Sequence, residues 1–347
     1  MKLLKSLFII KESKKKINFE KSINHFSFPE NYKNSDANMF LDEHFNATVD
    51  EISTLEYQKV LLSNSIIFKG CRFSVQSTVH LLNGNTLGLI NYVKSLIKSI
   101  LKRKIHIQEA YLATQEWGDN FYHFTLELLP NLINFHSCNP NVPILVPRSY
   151  KSKKFIVDYF SIIGIQPMYF NGENVAYIKK LHVCPLPRVG VFNKLNLLNL
   201  KDKIEVNALK IEYKPPFRKI YISRSNANKR KISNEQAVID YLKTVGFEII
   251  LAENIYLTDL ISILSETSVL ISNHGAGLAN IIHLQPGQTI IELKSHNDNY
   301  WMYFSLSKIL EHRYFYLFNK SDSLNYRDAN IEVNLVELES ILNNYII

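Results

Sequence analysis

Three stretches contain residue types from which a reaction could be built. The last of them, VLISNHGAGLANIIHLQPGQTIIEL (269–293), runs an apolar strand pattern into His274, Gly275, Ala276 and Gly277 and then into a helical pattern. Glycines at such a turn let the backbone approach a ligand closely, and the free N–H groups at the start of a helix favour an anion, typically a phosphate. The loop is neither the G-x-G-x-x-G dinucleotide fingerprint nor a P-loop, because the downstream Gly-Lys-Ser/Thr is missing.

The middle stretch, YKPPFRKIYISRSNANKRK (213–231), holds seven basic residues and no acidic one. Arg224 directly follows the strand pattern RKIYIS, which places it at the carboxyl edge of the same sheet as the glycine hinge. A planar guanidinium can hold two oxygens of one phosphate, a geometry lysine lacks. Ser223 and Ser225 could add hydroxyl donors, whereas Lys229, Arg230 and Lys231 read individually as a solvated basic loop.

In the first stretch, WGDNFYHFTLELLPNLINF (117–135), Asp119 or Asn120 can cap a helix whose apolar stripe is Phe121, Phe124, Leu128, Leu132 and Phe135. His123, Glu127, Asn131 and Asn134 form a parallel polar stripe, with His123 and Glu127 one turn apart. A carboxylate beside an imidazole orients the ring and raises its basicity, as a general base requires. The plainer reading is a polar helix face with an incidental ion pair. Pro130 removes a backbone bond near Leu126 and is expected to kink the helix.

Positioning these groups requires α/β alternation. From residue 110 the strands AYLAT, VPILVP and AYIKKLHVCP alternate with helices, and after a break near Asn199–Pro216 the strands RKIYISR, FEIILA, VLISN and TIIEL do so again. This predicts two successive doubly wound units with mostly parallel sheets. Residues 17–110 are harder to parse, with short strands around SIIFKGCRFSV and an amphipathic helix in NYVKSLIKSILKRK (91–104). The expected domains are 1–208, including a basic tail over 1–16, then 209–325, and a helical segment 326–347 returning toward the amino-terminal domain.

With 347 residues, 46% hydrophobic and 21% charged, the chain has room for two packed cores. Cys71, Cys138 and Cys184 are odd in number and lack C-x-x-C spacing, which points away from a disulfide framework or structural zinc and toward a reducing cytoplasm. No run approaches the roughly 20 apolar residues of a spanning helix, and MKLLKSLFII lacks a cleavage site, so neither anchor nor signal peptide is expected. Residues 1–16 carry six lysines against Glu12, five of the eight net positive charges. That concentration argues against a nucleic-acid surface and suits either a solvated tail or peripheral contact with anionic lipid.

The blocks NFYHFTLELLPNL, RKIYISRSNANKRKISNE and ISNHGAGLANIIHLQPGQTIIEL, in this order and spacing, resemble glycosyltransferase family 61, whose bacterial members include capsular-polysaccharide-type sugar transferases. Weaker similarity extends the resemblance over about residues 110–345. It implies a GT-B-like α/β fold, two Rossmann-like doubly wound domains facing a cleft, and an inverting, metal-independent transfer from a nucleotide-sugar, a UDP-sugar by expectation, to a hydroxyl of a glycan or lipid-linked acceptor. No cofactor or metal would be held, and the sequence contains no D-x-D pair.

By that resemblance the second domain would hold the donor, its diphosphate at Gly275, Ala276 and Gly277 with Arg224 as counter-charge. His274 would donate to the diphosphate or shape the turn, and Glu292 would accept ribose hydroxyls. The first domain would hold the acceptor, with His123, backed by Glu127, as base and Asp119 or Glu116 as rivals. The expected setting is envelope polysaccharide synthesis in the cytoplasm, at the inner face of the membrane. Many members carry Trp after the motif histidine and Arg after the proline where this chain has Phe124 and Asn131, so acceptor identity does not carry over. A non-catalytic nucleotide-sugar-binding scaffold of the same fold is the alternative. A dinucleotide-dependent oxidoreductase is disfavoured because RKIYISRSNANKRK has no glycine.

Overall fold

The computed structural model describes residues 10, 12–63, 66–70, 72–73, 93–98, 101–115, 117–170, 175–185, 188–208, 215–325 and 328–346. It divides into two compact units, Met1–Lys21 with Asp50–Pro187 and Ser22–Val49 with Arg188–Ile347. Along the chain, β1 (Lys14–Phe19) is followed by β2 (Ser22–His25), β3 (Asn46–Val49), β4 (Ile52–Ser63), β5 (Ile66–Lys69) and β6 (Arg72–Phe73). Then come β7 (Lys104–Leu112), β8 (Ile144–Pro147), β9 (Met168–Phe170) and β10 (Val175–Val183).

The first unit's sheet has the order β6-β5-β4-β10-β7-β8-β9, with β1 also paired to β4. Strands β10, β7, β8 and β9 are mutually parallel, while β4, β5, β6 and β1 join antiparallel. The sheet is therefore mixed, not a simple doubly wound one, because the hard-to-parse first hundred residues extend it through hairpins. Lys14, Lys15 and Lys16, expected in a tail, pair with Glu56, Leu55 and Thr54 of β4. Residues 1–9 and 11 of that expected tail lie outside the described residues, as do 91, 92, 99 and 100 of the helix expected over 91–104, which is helical at 93–98. Lys104 already begins β7.

The second unit is built on β11 (Arg218–Ile222), β12 (Phe247–Ile250), β13 (Thr267–Asn273), β14 (Thr289–Ser295), β15 (Arg313–Ser321) and β16 (Ile331–Glu332), in the order β12-β11-β13-β14-β15-β16. The first five are parallel and only β16 is antiparallel. Strand β14 is buried along its whole length, as expected of a strand covered on both faces by crossover helices.

The boundary falls between 187 and 188 rather than at the expected 208/209. Helix Lys194–Ala208 belongs to the second unit: it buries Leu197, Leu200 and Ile204, and Lys201 Nζ donates to the carbonyls of Leu284 (2.6 Å) and Ile282 (3.3 Å). The carboxyl-terminal helix Leu335–Tyr345 likewise packs into its own unit. Leu338, Ile341 and Leu342 share a core with Tyr221, Ile271, Ile291 and Phe315. The chain between β16 and this helix is only two residues long, so the sheet of its own unit is the nearest apolar surface.

Residues Ser22–Val49 also belong to this unit. Phe40 stacks on Trp301 with ring centroids 3.9 Å apart, Trp301 Nε1 donates to the Met39 carbonyl (2.8 Å), and Asn31 Nδ2 donates to the Tyr316 carbonyl (2.7 Å). Aromatic pairs of this kind add to plain apolar burial.

Behind the segment Ala276–His283, Lys201 lies close to two buried histidines. Burial, and then the charge of Lys201, push both His283 and His312 down to about 3. His312 Nε2 donates to the Ile281 carbonyl (3.3 Å), while its Nδ1 is buried with no hydrogen-bond partner among the described residues. An unfolded chain protonates these rings as pH falls through about 6.5, whereas the folded chain resists until about 3, so their contribution to stability is present above 6.5 and is lost on acidification. Denaturant unfolding from pH 7 to pH 4 is expected to show stability falling by up to about 1.4 kcal/mol per pH unit per histidine, and His283→Gln is expected to shallow that dependence.

Candidate functional site

Strand β11 leads to β12 on one side of the sheet, and β13 leads to β14 on the other. The winding therefore reverses between neighbouring β11 and β13, and the crevice at their carboxyl ends is where open α/β sheets bind ligands. Arg224 follows β11 there and His274–Gly277 follow β13, which brings together the two segments that the sequence placed at one edge.

The contact between them is direct. A Cβ on Gly275 would stand 2.2 Å from Nη1 and 2.7 Å from Cζ of Arg224, so only glycine lets the guanidinium lie against the hinge backbone. Gly277 differs, since its Cβ would make an ordinary contact 3.4 Å from Ile222 Cγ2. Ala276 and Gly277 are half-buried and open a 3₁₀ segment, Ala276–His283, where an α-helix is expected from the sequence. Their N–H groups precede any intrahelical acceptor.

Arg224 is short of partners. Its Nε is buried with no hydrogen bond among the described residues, and Nη2 reaches only the Lys229 carbonyl at 3.4 Å. Burial, followed by the like charge of Arg230, pushes the guanidinium below its ordinary range. Arg230 is therefore more than a solvated loop residue. Its backbone has φ 56° and its carbonyl accepts from Asn273 Nδ2 (2.7 Å), which ties the basic loop to the end of β13. Two cations, one underpartnered, beside first-turn N–H groups form a seat suited to an anion.

Below the hinge lies a buried charged cluster that sequence reasoning assigned differently. Glu292, expected to meet a ribose, is fully buried: one carboxylate oxygen accepts from His274 Nδ1 and the other from the Tyr314 hydroxyl. It lies mid-sheet, inside β14, so it supports His274 and cannot reach a ligand. His274 Nδ1 also lies 3.2 Å from Asp298, and Lys294 Nζ lies 3.4 Å from Asp298 and 3.8 Å from Glu292. Burial raises Asp298, but Lys294 and then His274 outweigh it and hold the carboxyl below its usual range. Tyr303 completes the support by donating to the Gly275 carbonyl (2.6 Å). Of these residues, His274 and Glu292 were singled out in the sequence, whereas Lys294, Asp298, Tyr303 and Tyr314 carried no local signal.

Ser223 is committed elsewhere. Its hydroxyl donates to Glu235 (2.8 Å), which also accepts from the Tyr221 hydroxyl (2.8 Å) and the Arg224 N–H (3.2 Å). Glu235 thus fixes the strand end from which Arg224 departs, and Ser223 is a structural residue, not an anion donor. Ser225 is exposed, its N–H bonded to Ser223 Oγ (3.2 Å).

In the first unit, the chain leaves the carboxyl end of β7 and enters helical structure at Phe121, where Asn120 caps the start by accepting from the Tyr122 N–H (3.0 Å). The helix takes one wider π turn over Phe124–Leu128 before continuing over Leu129–Cys138. The Leu129 N–H reaches back five residues to the Phe124 carbonyl, and Pro130, which has no N–H, follows. His123 Nδ1 and Glu127 Oε2 are 2.8 Å apart across this turn, as the spacing predicts. Glu127 is buried, and its second oxygen has no partner among the described residues. Because a carboxylate only accepts, Nδ1 carries the proton, and the neutral ring presents its lone pair on Nε2.

Of the rival bases, Asp119 is 52% exposed and faces Lys153 Nζ at 3.3 Å, while Glu116 lies outside the described residues. Asn131 and Asn134, the rest of the polar stripe, donate to the carbonyls of Glu127 (3.2 Å) and Pro130 (3.0 Å). Among the described residues no group of three or more His, Cys, Asp or Glu side chains could hold a metal ion.

Fold and seat together define a mixed α/β protein with a Rossmann-like parallel sheet whose reversal point is cationic. Residues 121–291 match the family model of glycosyltransferase 61. The EGF domain-specific O-linked N-acetylglucosamine transferase of Drosophila melanogaster is 26% identical over 200 residues, covering 52% of this chain. The chain spans 38% of that relative's length.

Gly275→Ala is expected to displace the Arg224 guanidinium and to weaken pyrophosphate binding, measured by calorimetry, by about tenfold or more. Gly277→Ala, lacking that clash, is expected to leave thermal stability within about 0.5 kcal/mol of the parent.

Proposed function

We propose that this protein is an inverting glycosyltransferase of the GT-B type that moves a sugar from a nucleotide-sugar, by preference a UDP-sugar, to a hydroxyl of a glycan or lipid-linked acceptor. The observation that carries the reading is the Arg224 guanidinium laid on Gly275, its Nε unpartnered among the described residues, at the reversal point of a parallel sheet. A departing nucleoside diphosphate develops negative charge, and in a transferase without a metal that charge must be met by fixed cations and backbone dipoles. Arg224, Arg230 and the N–H groups of Ala276 and Gly277 supply them. His274, braced by Glu292, shapes the hinge.

In the same reading the first unit serves the acceptor. The acceptor oxygen attacks the anomeric carbon as the bond to the diphosphate breaks, and the hydroxyl proton passes to His123 Nε2. Glu127 orients the ring and stabilises the imidazolium. One displacement inverts the anomeric centre.

Surface-polysaccharide synthesis, in capsule or O-antigen, is the proposed setting, at the cytoplasmic face of a membrane. Among the described residues no helix is long and apolar enough to cross one. The Drosophila relative's name supports sugar transfer in general, whereas its EGF-domain acceptor is not carried into this proposal.

Calorimetric titration with UDP, GDP, CMP and ADP, each with magnesium and again with EDTA, tests the donor seat. Selective binding of one nucleotide that survives EDTA is expected; binding only with metal, or none at all, overturns the seat. Arg224→Ala is expected to weaken nucleotide affinity by about tenfold or more. His123→Ala is expected to keep that affinity while turnover falls by about 10²–10⁴, and turnover within about threefold of the parent would remove His123 as base.

A further inference from the structure

The chain has two tryptophans, in opposite situations. Trp301 is 3% exposed inside the second unit's aromatic core, whereas Trp117 is 54% exposed on the first unit. The Trp117 ring lies beside His123, centroids 5.3 Å apart and planes inclined by 39°. The imidazole has one side on Trp117 and its edge against Tyr122, at 5.1 Å. Its Nδ1 belongs to Glu127.

The turn that presents Trp117 is tied down on several sides. Gly118 N–H donates to the Gln115 carbonyl (3.2 Å), Asn120 N–H to the Trp117 carbonyl (2.9 Å), and Gln115 Nε2 to the His123 carbonyl (2.6 Å). A Cβ on Gly118 would stand 1.8 Å from the Tyr150 hydroxyl, so the turn is seated against a buried tyrosine that only glycine admits. A large apolar ring is thus held in solvent beside an imidazole, with the exposed Asp119 carboxylate two residues away in the chain.

We infer that Trp117 is the stacking platform for the acceptor and that the acceptor's reacting hydroxyl belongs to a sugar ring, not to a serine or threonine side chain. The inference rests on the glycosyltransferase reading. A pyranose presents one face of polarised C–H groups, which the negative face of an indole attracts, and hydroxyls around its rim for a carboxylate and an imidazole. A hydroxymethyl side chain has no such face to stack. Trp117 fixes the plane of the sugar, and that plane decides which hydroxyl meets His123 Nε2.

Intrinsic fluorescence separates the two tryptophans, because Trp117→Phe removes the exposed emitter and leaves Trp301. The probes are methyl β-D-glucopyranoside, methyl β-D-galactopyranoside, methyl N-acetyl-β-D-glucosaminide and N-acetyl-serine amide, titrated with UDP present. At least one glycoside is expected to quench or blue-shift the parent's emission saturably, with no response from serine amide and none in Trp117→Phe. In transfer assays with the responding glycoside, Trp117→Ala is expected to raise its KM by about tenfold or more with UDP affinity within about twofold of the parent. Trp117→Phe is expected to recover most of the loss, because it keeps a π face.

If the parent binds UDP but no glycoside perturbs Trp117, or if Trp117→Ala leaves the glycoside's KM unchanged, the platform is overturned and the donor seat stands. A response to serine amide alone overturns the sugar-ring assignment. Failure to bind any nucleotide removes the donor reading and this inference with it.

Discussion

Leaving a buried N–H of a charged group without a hydrogen bond costs about 1–3 kcal/mol, and the second unit does so at Arg224 Nε among the described residues. The planar guanidinium is laid on backbone at Gly275, where any side chain would collide with it. Most of what surrounds it keeps the arrangement from relaxing. Glu235 pins the strand end from which Arg224 leaves, Tyr303 holds the Gly275 carbonyl, and Asn273 holds the loop carrying Arg230. A cation kept short of partners by a rigid frame binds an incoming anion without first surrendering bonds of its own.

The frame is itself electrostatic. His274 sits between the Glu292 and Asp298 carboxylates, and Lys294 faces the same two from the other strand position. Removing any one of these four would strand a charge in the interior, which is far costlier than never having placed it there. The first unit repeats the motif on a smaller scale, with one buried carboxylate steering one imidazole. In both places a histidine is oriented through Nδ1, and neither ring has a hydrogen bond at Nε2 among the described residues.

What was legible in the sequence was local. The His123–Glu127 pair followed from helical spacing, and the meeting of Arg224 with the glycine hinge followed from strand order, since two strand ends in one parallel sheet share an edge. Glu292 was misplaced because a glutamate ending the run TIIEL reads the same whether the next strand covers it or not; β14 continues through Ser295, and Tyr314 on β15 closes over the carboxylate. Ser223 was misjudged for the same reason, its partner Glu235 being a tertiary neighbour. The domain boundary was set late because helix Lys194–Ala208 looks like a linker until its contacts are known. Pro130 did signal irregularity near Leu126, but spacing alone did not tell a kink from a wider turn.

The segment Ser22–Val49 docks on residues that come far later in the chain: Met39 and Trp301 are separated by 262 positions, and Asn31 and Tyr316 by 285. During synthesis this stretch emerges long before anything exists for it to cover. Phe28, Phe40 and Phe45 can meet one another within the segment, but Phe40 waits for Trp301 while the whole first unit and most of the second are made. The contacts that seal the second unit with its earliest piece can therefore form only once Trp301 and β15 have been made.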